Sequence, residues 1–163
     1  MMNPDGVVLG NFRTSYSGKD LNRQFLNPDR RVYPEVEALN QFVSRLKQHY
    51  RARFEYYFDF HGHSTKTNLF CYGPEHPRTN PYYLRSRAFA KLMEDSDQLF
   101  SYRRSVFSIS EHKRATSRAN MLWKHKIPMS YTFELSNGLY EGPDRSVNLL
   151  SLEDMYRAGR LVL

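Results

Sequence analysis

At 163 residues with 40% hydrophobic and 15% aromatic content, the chain is long enough for one domain with a real core, burying roughly two thirds of its extended surface. The composition excludes a disordered segment, and nowhere is there the run of about 18 apolar residues that a membrane-spanning helix needs. A net charge of +7 favours acidic partners without choosing among nucleic acid, acidic peptide and lipid, and is equally compatible with a solvated basic surface. The start, Met1 to Gly6, lacks the basic and apolar regions of a secretory signal, and the lone Cys71 has no internal disulfide partner; both point to a reducing, intracellular setting.

No repeat, low-complexity stretch or linker is visible, so residues 1–163 read as a single domain. Asn11 to Arg31 is polar, follows neither helical nor strand periodicity, and reads as a long loop of the kind that carries function. Pro34 suits the first turn of a helix, and Val36, Leu39, Phe42, Val43 and Leu46 then recur at helical spacing, a face expected to pack on a sheet. The aromatic run Phe54 to Phe60 and the segment Asn68 to Tyr72 read as strands separated by a polar turn from Gly62 to Thr67. A helix is predicted from Pro81 to about Asp97, and a strand over Ser105 to Ser110. Thr116 is placed to cap a helix carrying Ala119, Met121, Leu122 and Trp123. Pro128 resets the chain for a strand from Ser130 to Leu135, and Ser151 with Asp154 is placed to cap a last helix through Met155, Ala158 and Leu161. Strands alternating with helices predict an α/β fold, a mixed sheet in three layers with helices on both faces.

Two strings place reactive side chains in or just after strand-like runs: Asp59-Phe60-His61-Gly62-His63-Ser64 and Tyr131-Thr132-Phe133-Glu134-Leu135. In open α/β sheets the carboxyl ends of strands face the ligand crevice, which places His61 within a ligand's reach and Glu134 within reach of His61. His61 can ligate a metal through a neutral ring nitrogen; Asp59 is near enough to affect it, although alternation alone does not establish a hydrogen bond. His63 is either a second ligand or a side chain that diverges in a tight turn. Glu134 reads either as a general base acting on metal-bound water or as an exposed strand-end carboxylate. Arg13, Asn22 and Arg23 suit gripping a carboxylate through directed donors; taken without a motif, they read first as solvating a loop.

The order Asn3-Pro4-Asp5-Gly6, Gly10-Asn11-Phe12-Arg13, Gly18-Lys19-Asp20-Leu21-Asn22-Arg23, Asp59 to Ser64 and Tyr131 to Glu134 resembles the downstream part of the catalytic domain of the cytosolic carboxypeptidases, a branch of the zinc metallocarboxypeptidases. The resemblance implies their fold. It also implies His61 as a zinc ligand with His63 only a neighbour, Glu134 as general base, Arg13 as oxyanion stabiliser, and Asn22 with Arg23 as binders of the substrate's terminal carboxylate. The stretch Lys113 to Arg118 matches the basic part of the family's pocket, and Arg118 is then the reader of a glutamate side chain, with a solvated basic helix start as the other reading.

In that family zinc also needs a His-x-x-Glu pair upstream of the Asn-Pro-Asp-Gly segment, and no His here has Glu three positions later. The expectation is therefore a fragment, an incomplete gene model or a degenerate copy, with its sheet open at one edge. The implied function is a cytoplasmic, one-zinc carboxypeptidase that trims glutamates from acidic protein tails, with tubulin tails as the family's substrate. An inert binder of acidic C-termini is the alternative, and a nucleic-acid-binding domain rests on charge and aromatics alone, without a recognised motif. The partners expected are acidic C-termini, with neither nucleic acid nor membrane among them.

Overall fold

The computed structural model describes residues 1–50 and 54–163. The chain divides into two compact units: Met1–Glu55 with Ile109–Ile127, and Tyr56–Ser108 with Pro128–Leu163. No helix among the described residues is long and apolar enough to cross a membrane.

Among its described residues the first unit is helical. Asn3 caps a short helix, α1 (Pro4–Val8), and the long polar loop follows, broken only by a 3₁₀ turn over Leu21–Arg23. Pro34 opens α2 (Pro34–His49) at its first position, as its fixed φ favours. Val36 of α2 is fully buried and packs with Leu21 and Phe25, so the cover over the start of this helix is the loop. Phe42, expected to face inward, is 58% exposed.

The second unit carries α3 (Tyr82–Ser96), a sheet and a last helix at Leu152–Val162; the intervening α4 (Ser117–Trp123) belongs to the first unit and begins where Thr116 accepts from Ala119 N–H. The sheet has the order β1-β3-β2, with β1 (Tyr56–His63) parallel to β3 (Met129–Ser136) and β2 (Leu69–Tyr72) antiparallel to it. Register fixes the two faces. Phe58, Tyr131, Phe133, Leu69 and Cys71 enter the core with Ala90 and Met93 of α3 and with Ala158 and Val162 of α5 (Leu152–Val162). Ser86 and Ala90 are small and fully buried, which lets α3 lie close to the sheet. The Tyr131 hydroxyl donates to Ser86 O at 3.0 Å, and burial pushes its pKa upward. The opposite face carries Asp59, His61, Thr132 and Glu134.

Three expectations change. β1 runs through Gly62 to His63, where a turn was predicted, because His61, Gly62 and His63 continue the ladder with Glu134, Leu135 and Ser136. Gly62 permits this: a Cβ there would stand 2.5 Å from Asn137 Oδ1. The predicted strand over Ser105 to Ser110 reduces to one bridge, Val106 to Tyr72, after a 3₁₀ turn over Tyr102–Arg104. Phe107 leaves the strand path to pack where a Cβ on Gly73 would lie, 2.4 Å from its ring. Finally, a hairpin not foreseen joins β4 (Leu139–Glu141) to β5 (Val147–Leu149).

Candidate active site

In the second unit the β1–β3 ladder makes His61 and Glu134 register partners, and β2 places Phe70 on the other side of Glu134. The acid and the imidazole thus share one sheet face. His61 Nε2 lies 2.9 Å from Asp59 Oδ2, and both side chains are about one fifth to one quarter exposed, at 24% and 20%. An ionised carboxylate only accepts, so Nε2 is the donor and the lone pair of a neutral ring lies on Nδ1. A carboxylate holding the remote nitrogen is how metal-ligating histidines are usually oriented.

His63 is spent differently. Its Nδ1 accepts from the N–H groups of Thr65 at 3.3 Å and Lys66 at 3.0 Å, closing the turn after β1. That nitrogen's lone pair is occupied, so the neutral ring carries its proton on Nε2 and offers no nitrogen to a metal. Burial, then the nearby Lys66 charge, lowers its pKa and favours that neutral state. The geometry therefore agrees with His63 as a neighbour of His61 rather than a ligand.

The remaining candidates lie in the first unit and form one connected set. Asn3 Oδ1 accepts from Gly6 N–H at 3.1 Å, while its Nδ2 donates to Thr14 O at 3.1 Å and reaches Arg13 O at 3.5 Å. The helix cap thus also pins the backbone that presents Arg13. Arg13 Nε donates to Asp20 Oδ2 at 2.7 Å, with its side chain still 51% exposed. The other oxygen of Asp20 accepts from Asn22 N–H at 2.9 Å. Asn22 Oδ1 accepts from Ser117 N–H at 2.8 Å, and Phe25 N–H donates to Ala115 O at 3.0 Å. Asn22 is thereby an N-terminal tether for α4. Arg23 Nη1 donates to Asn22 O at 2.7 Å and lies 3.8 Å from Asp20.

Arg118 is 4% exposed at the start of α4. That removes the solvated-surface reading, because a guanidinium so buried needs a counter-charge or hydrogen bonds to offset desolvation. A hollow of about 560 Å³ along α2, lined by Phe42, Leu46 and Tyr50 among others, contains none of these residues.

Sequence reasoning missed Asp20 as the group that orients Arg13 and caps the 3₁₀ turn. Its signal was present: Asp immediately before a short helical turn is a favoured cap.

Cytosolic carboxypeptidase 2 of Danio rerio is 35% identical over 160 residues, covering 98% of this chain and 22% of that protein. The chain belongs with the cytosolic carboxypeptidases. Human cytosolic carboxypeptidase 6 is 36% identical over 138 residues, 83% of the chain and 27% of its own length. Among solved structures, a metallo-carboxypeptidase from Pseudomonas aeruginosa, crystallised with (2-guanidinoethylmercapto)succinic acid, superposes with a TM-score of 0.77 over 99% of this chain and 42% of its own, at 24% identity, a likeness of fold. One from Burkholderia cenocepacia gives 0.66 at 25% identity over 83% of this chain and 34% of its own. The fold is that of the zinc carboxypeptidases, and the chain resembles peptide hydrolases. No protein-family model matches it.

Proposed function

We propose that the chain is part of a zinc-dependent carboxypeptidase that removes C-terminal glutamates from acidic protein tails, tubulin tails among them, in the cytoplasm. The observation that carries this reading is the register of His61 beside Glu134, with Asp59 on the remote nitrogen of His61. The relatives' names support the peptidase class and the cytosolic setting.

The metal does not fit this chain by itself. Among the described residues no group of three or more His, Cys, Asp or Glu stands ready to hold an ion, whereas a catalytic zinc typically takes three protein ligands. His61 is one; the others would come from elsewhere in the parent protein. The roles left to this chain are proton handling and substrate grip. Glu134 takes the proton of the attacking water and returns it to the leaving amine. Arg13 donates to the carbonyl oxygen as negative charge develops there. Asn22 and Arg23 hold the terminal carboxylate, and Arg118, desolvated and cationic, reads a glutamate side chain.

In the full-length parent loaded with zinc, Glu134→Gln keeps peptide binding and lowers glutamate release from a glutamate-ended peptide by about two to four orders of magnitude. Mass-spectrometric detection of the freed amino acid measures it. Near-normal release by the variant makes Glu134 a strand-end carboxylate. No release by the wild-type parent favours the second reading, an inert binder of acidic C-termini, which the incomplete ligand set supports for this chain on its own.

A further inference from the structure

The turn that follows β1 carries Lys66, whose ammonium lies 4.6 Å from the Phe70 ring centroid and 5.4 Å from that of Tyr72. Phe70 is the register partner of Glu134, so this cation covers a ring that neighbours the proposed base on the sheet. Lys66 Nζ also reaches Arg104 O at 3.5 Å. From there the surface continues into a cluster of arginines around one carboxylate. Glu141 on β4 pairs with Arg104 and lies 3.8 Å from Arg103. The Arg104 hydrogen bond, with smaller contributions from the Arg103 and Arg145 charges, holds the Glu141 carboxyl below the usual range.

The charge count is uneven. One partner suffices for Glu141, and Arg104 supplies it at 21% exposure, while Arg103 is 76% exposed. The other acid of the hairpin, Asp144, is turned onto Ser146, whose Oγ and N–H it accepts at 2.6 and 3.0 Å. Arg103, Arg104 and Arg145 thus share one carboxylate, Glu141, with Lys66 joined to them through Arg104 O, while Asp144 is bonded to Ser146, which leaves a local surplus of cations. Glu141 shows in place that a carboxylate is held there.

We propose that Lys66, Arg103 and Arg145 form an anion-binding subsite that takes the glutamate side chains preceding the residue to be removed from an acidic tail. The inference rests on the peptidase reading above and adds a reason for preferring a run of glutamates over a single one. Residues in an extended chain advance by roughly 3.3 Å each, so a tail that leaves Glu134 along this surface meets these cations in turn. A peptide fits better than RNA because single-stranded RNA is held largely by bases stacked on aromatic faces. Here Lys66 caps Phe70 and Tyr72, and Phe70 is fully buried.

Fluorescence anisotropy with the purified chain tests the assignment, using N-terminally labelled hexaglutamate and a hexapeptide whose only acid is its C-terminal glutamate. Arg103 and Arg145 are exposed, so R103E/R145E leaves the fold intact, which circular dichroism verifies. The double variant weakens hexaglutamate by about tenfold, a loss that shrinks in high salt, and the single-glutamate peptide by less than about twofold. Lys66→Met keeps the apolar stem over Phe70 and weakens hexaglutamate by about threefold. Equal losses for both peptides, no loss for either, or no binding of hexaglutamate by the wild type overturns the subsite. So does a loss confined to labelled oligouridylate. Amidating the hexaglutamate C-terminus separates the two claims: unchanged wild-type affinity removes the terminal-carboxylate grip of Asn22 and Arg23 and leaves the subsite standing.

Discussion

Gly6 controls the placement of an arginine seven positions further along. A Cβ on it would lie 2.2 Å from Asn3 Nδ2 and 2.5 Å from Thr14 O, the two atoms whose hydrogen bond holds the Arg13 loop. The side chain can move aside only by giving up that bond, and the backbone oxygen has to shift with its loop. Gly6→Ala is expected to destabilise the chain by about 1 to 3 kcal/mol through overpacking and a weakened cap. Urea unfolding measures it, and an unchanged midpoint refutes the clamp. At this scale the candidate residues could be named from the sequence, and their hydrogen-bond partners could not. His61 and Glu134 announce themselves by type and by their place in strand-like runs. The Asp59 contact depends on a ring rotation that alternation does not encode. Asn22 reads as a loop amide until the fold brings it to Ser117, a partner 95 residues away.

Elements with strong local signals were read correctly. Pro34 starts α2, Thr116 caps α4, and Ser151 with Asp154 forms the capping box of α5. Where tertiary contacts decide, local reading fails: β1 gains Gly62 and His63 from pairing with β3, and Phe107 quits its strand to fill the space above Gly73. The β4–β5 hairpin had a signal in Gly142-Pro143-Asp144 between two short runs, but strands this brief are hard to distinguish from loop.

The join between α2 and the end of α4 was invisible for the same reason. His125 Nε2 lies 2.8 Å from Asn40 Oδ1, which also accepts from Asn120 Nδ2 at 2.6 Å, and all three side chains are buried. Burial, then Lys124 and Lys47, lowers the His125 pKa below its usual 6.5. The unfolded chain therefore binds the proton more readily than the folded one. The stability this contributes is complete above about pH 6.5 and is lost as pH falls through the lower folded value. The urea midpoint is expected to drop on acidification below that pH, and less steeply in His125→Gln, which retains an amide donor without the titration. Part of the slope survives in the variant, because His63 is shifted in the same direction. Identical pH profiles would clear His125.

For the whole molecule, the chain spans about a quarter of the length of the curated relatives it matches, 22% of the Danio rerio protein and 27% of the human one. What it carries is unequally complete. The first unit holds Arg13, Asp20, Asn22 and Arg23 through an internal chain of hydrogen bonds, with Asn22 tethering Ser117, the residue before Arg118, a set that needs no metal to be in place. The second holds one oriented histidine, the single proposed ligand, beside the carboxylate of the proposed base, and among the described residues no group of three or more His, Cys, Asp or Glu stands ready to hold an ion. Anion binding should therefore outlast metal binding when the chain is studied alone. Titrated with zinc in a calorimeter, the 163-residue chain is expected to show no stoichiometric site of nanomolar affinity, since His61, the proposed ligand, would supply one of the typically three protein ligands. The same sample is expected to bind glutamate-ended peptide with or without a chelator present. His61→Ala should leave that peptide affinity unchanged while abolishing whatever weak zinc uptake remains. A tight site at one ion per chain, lost in His61→Ala, would show that this sequence assembles its own metal centre, with ligands other than those the register of β1 and β3 brings together.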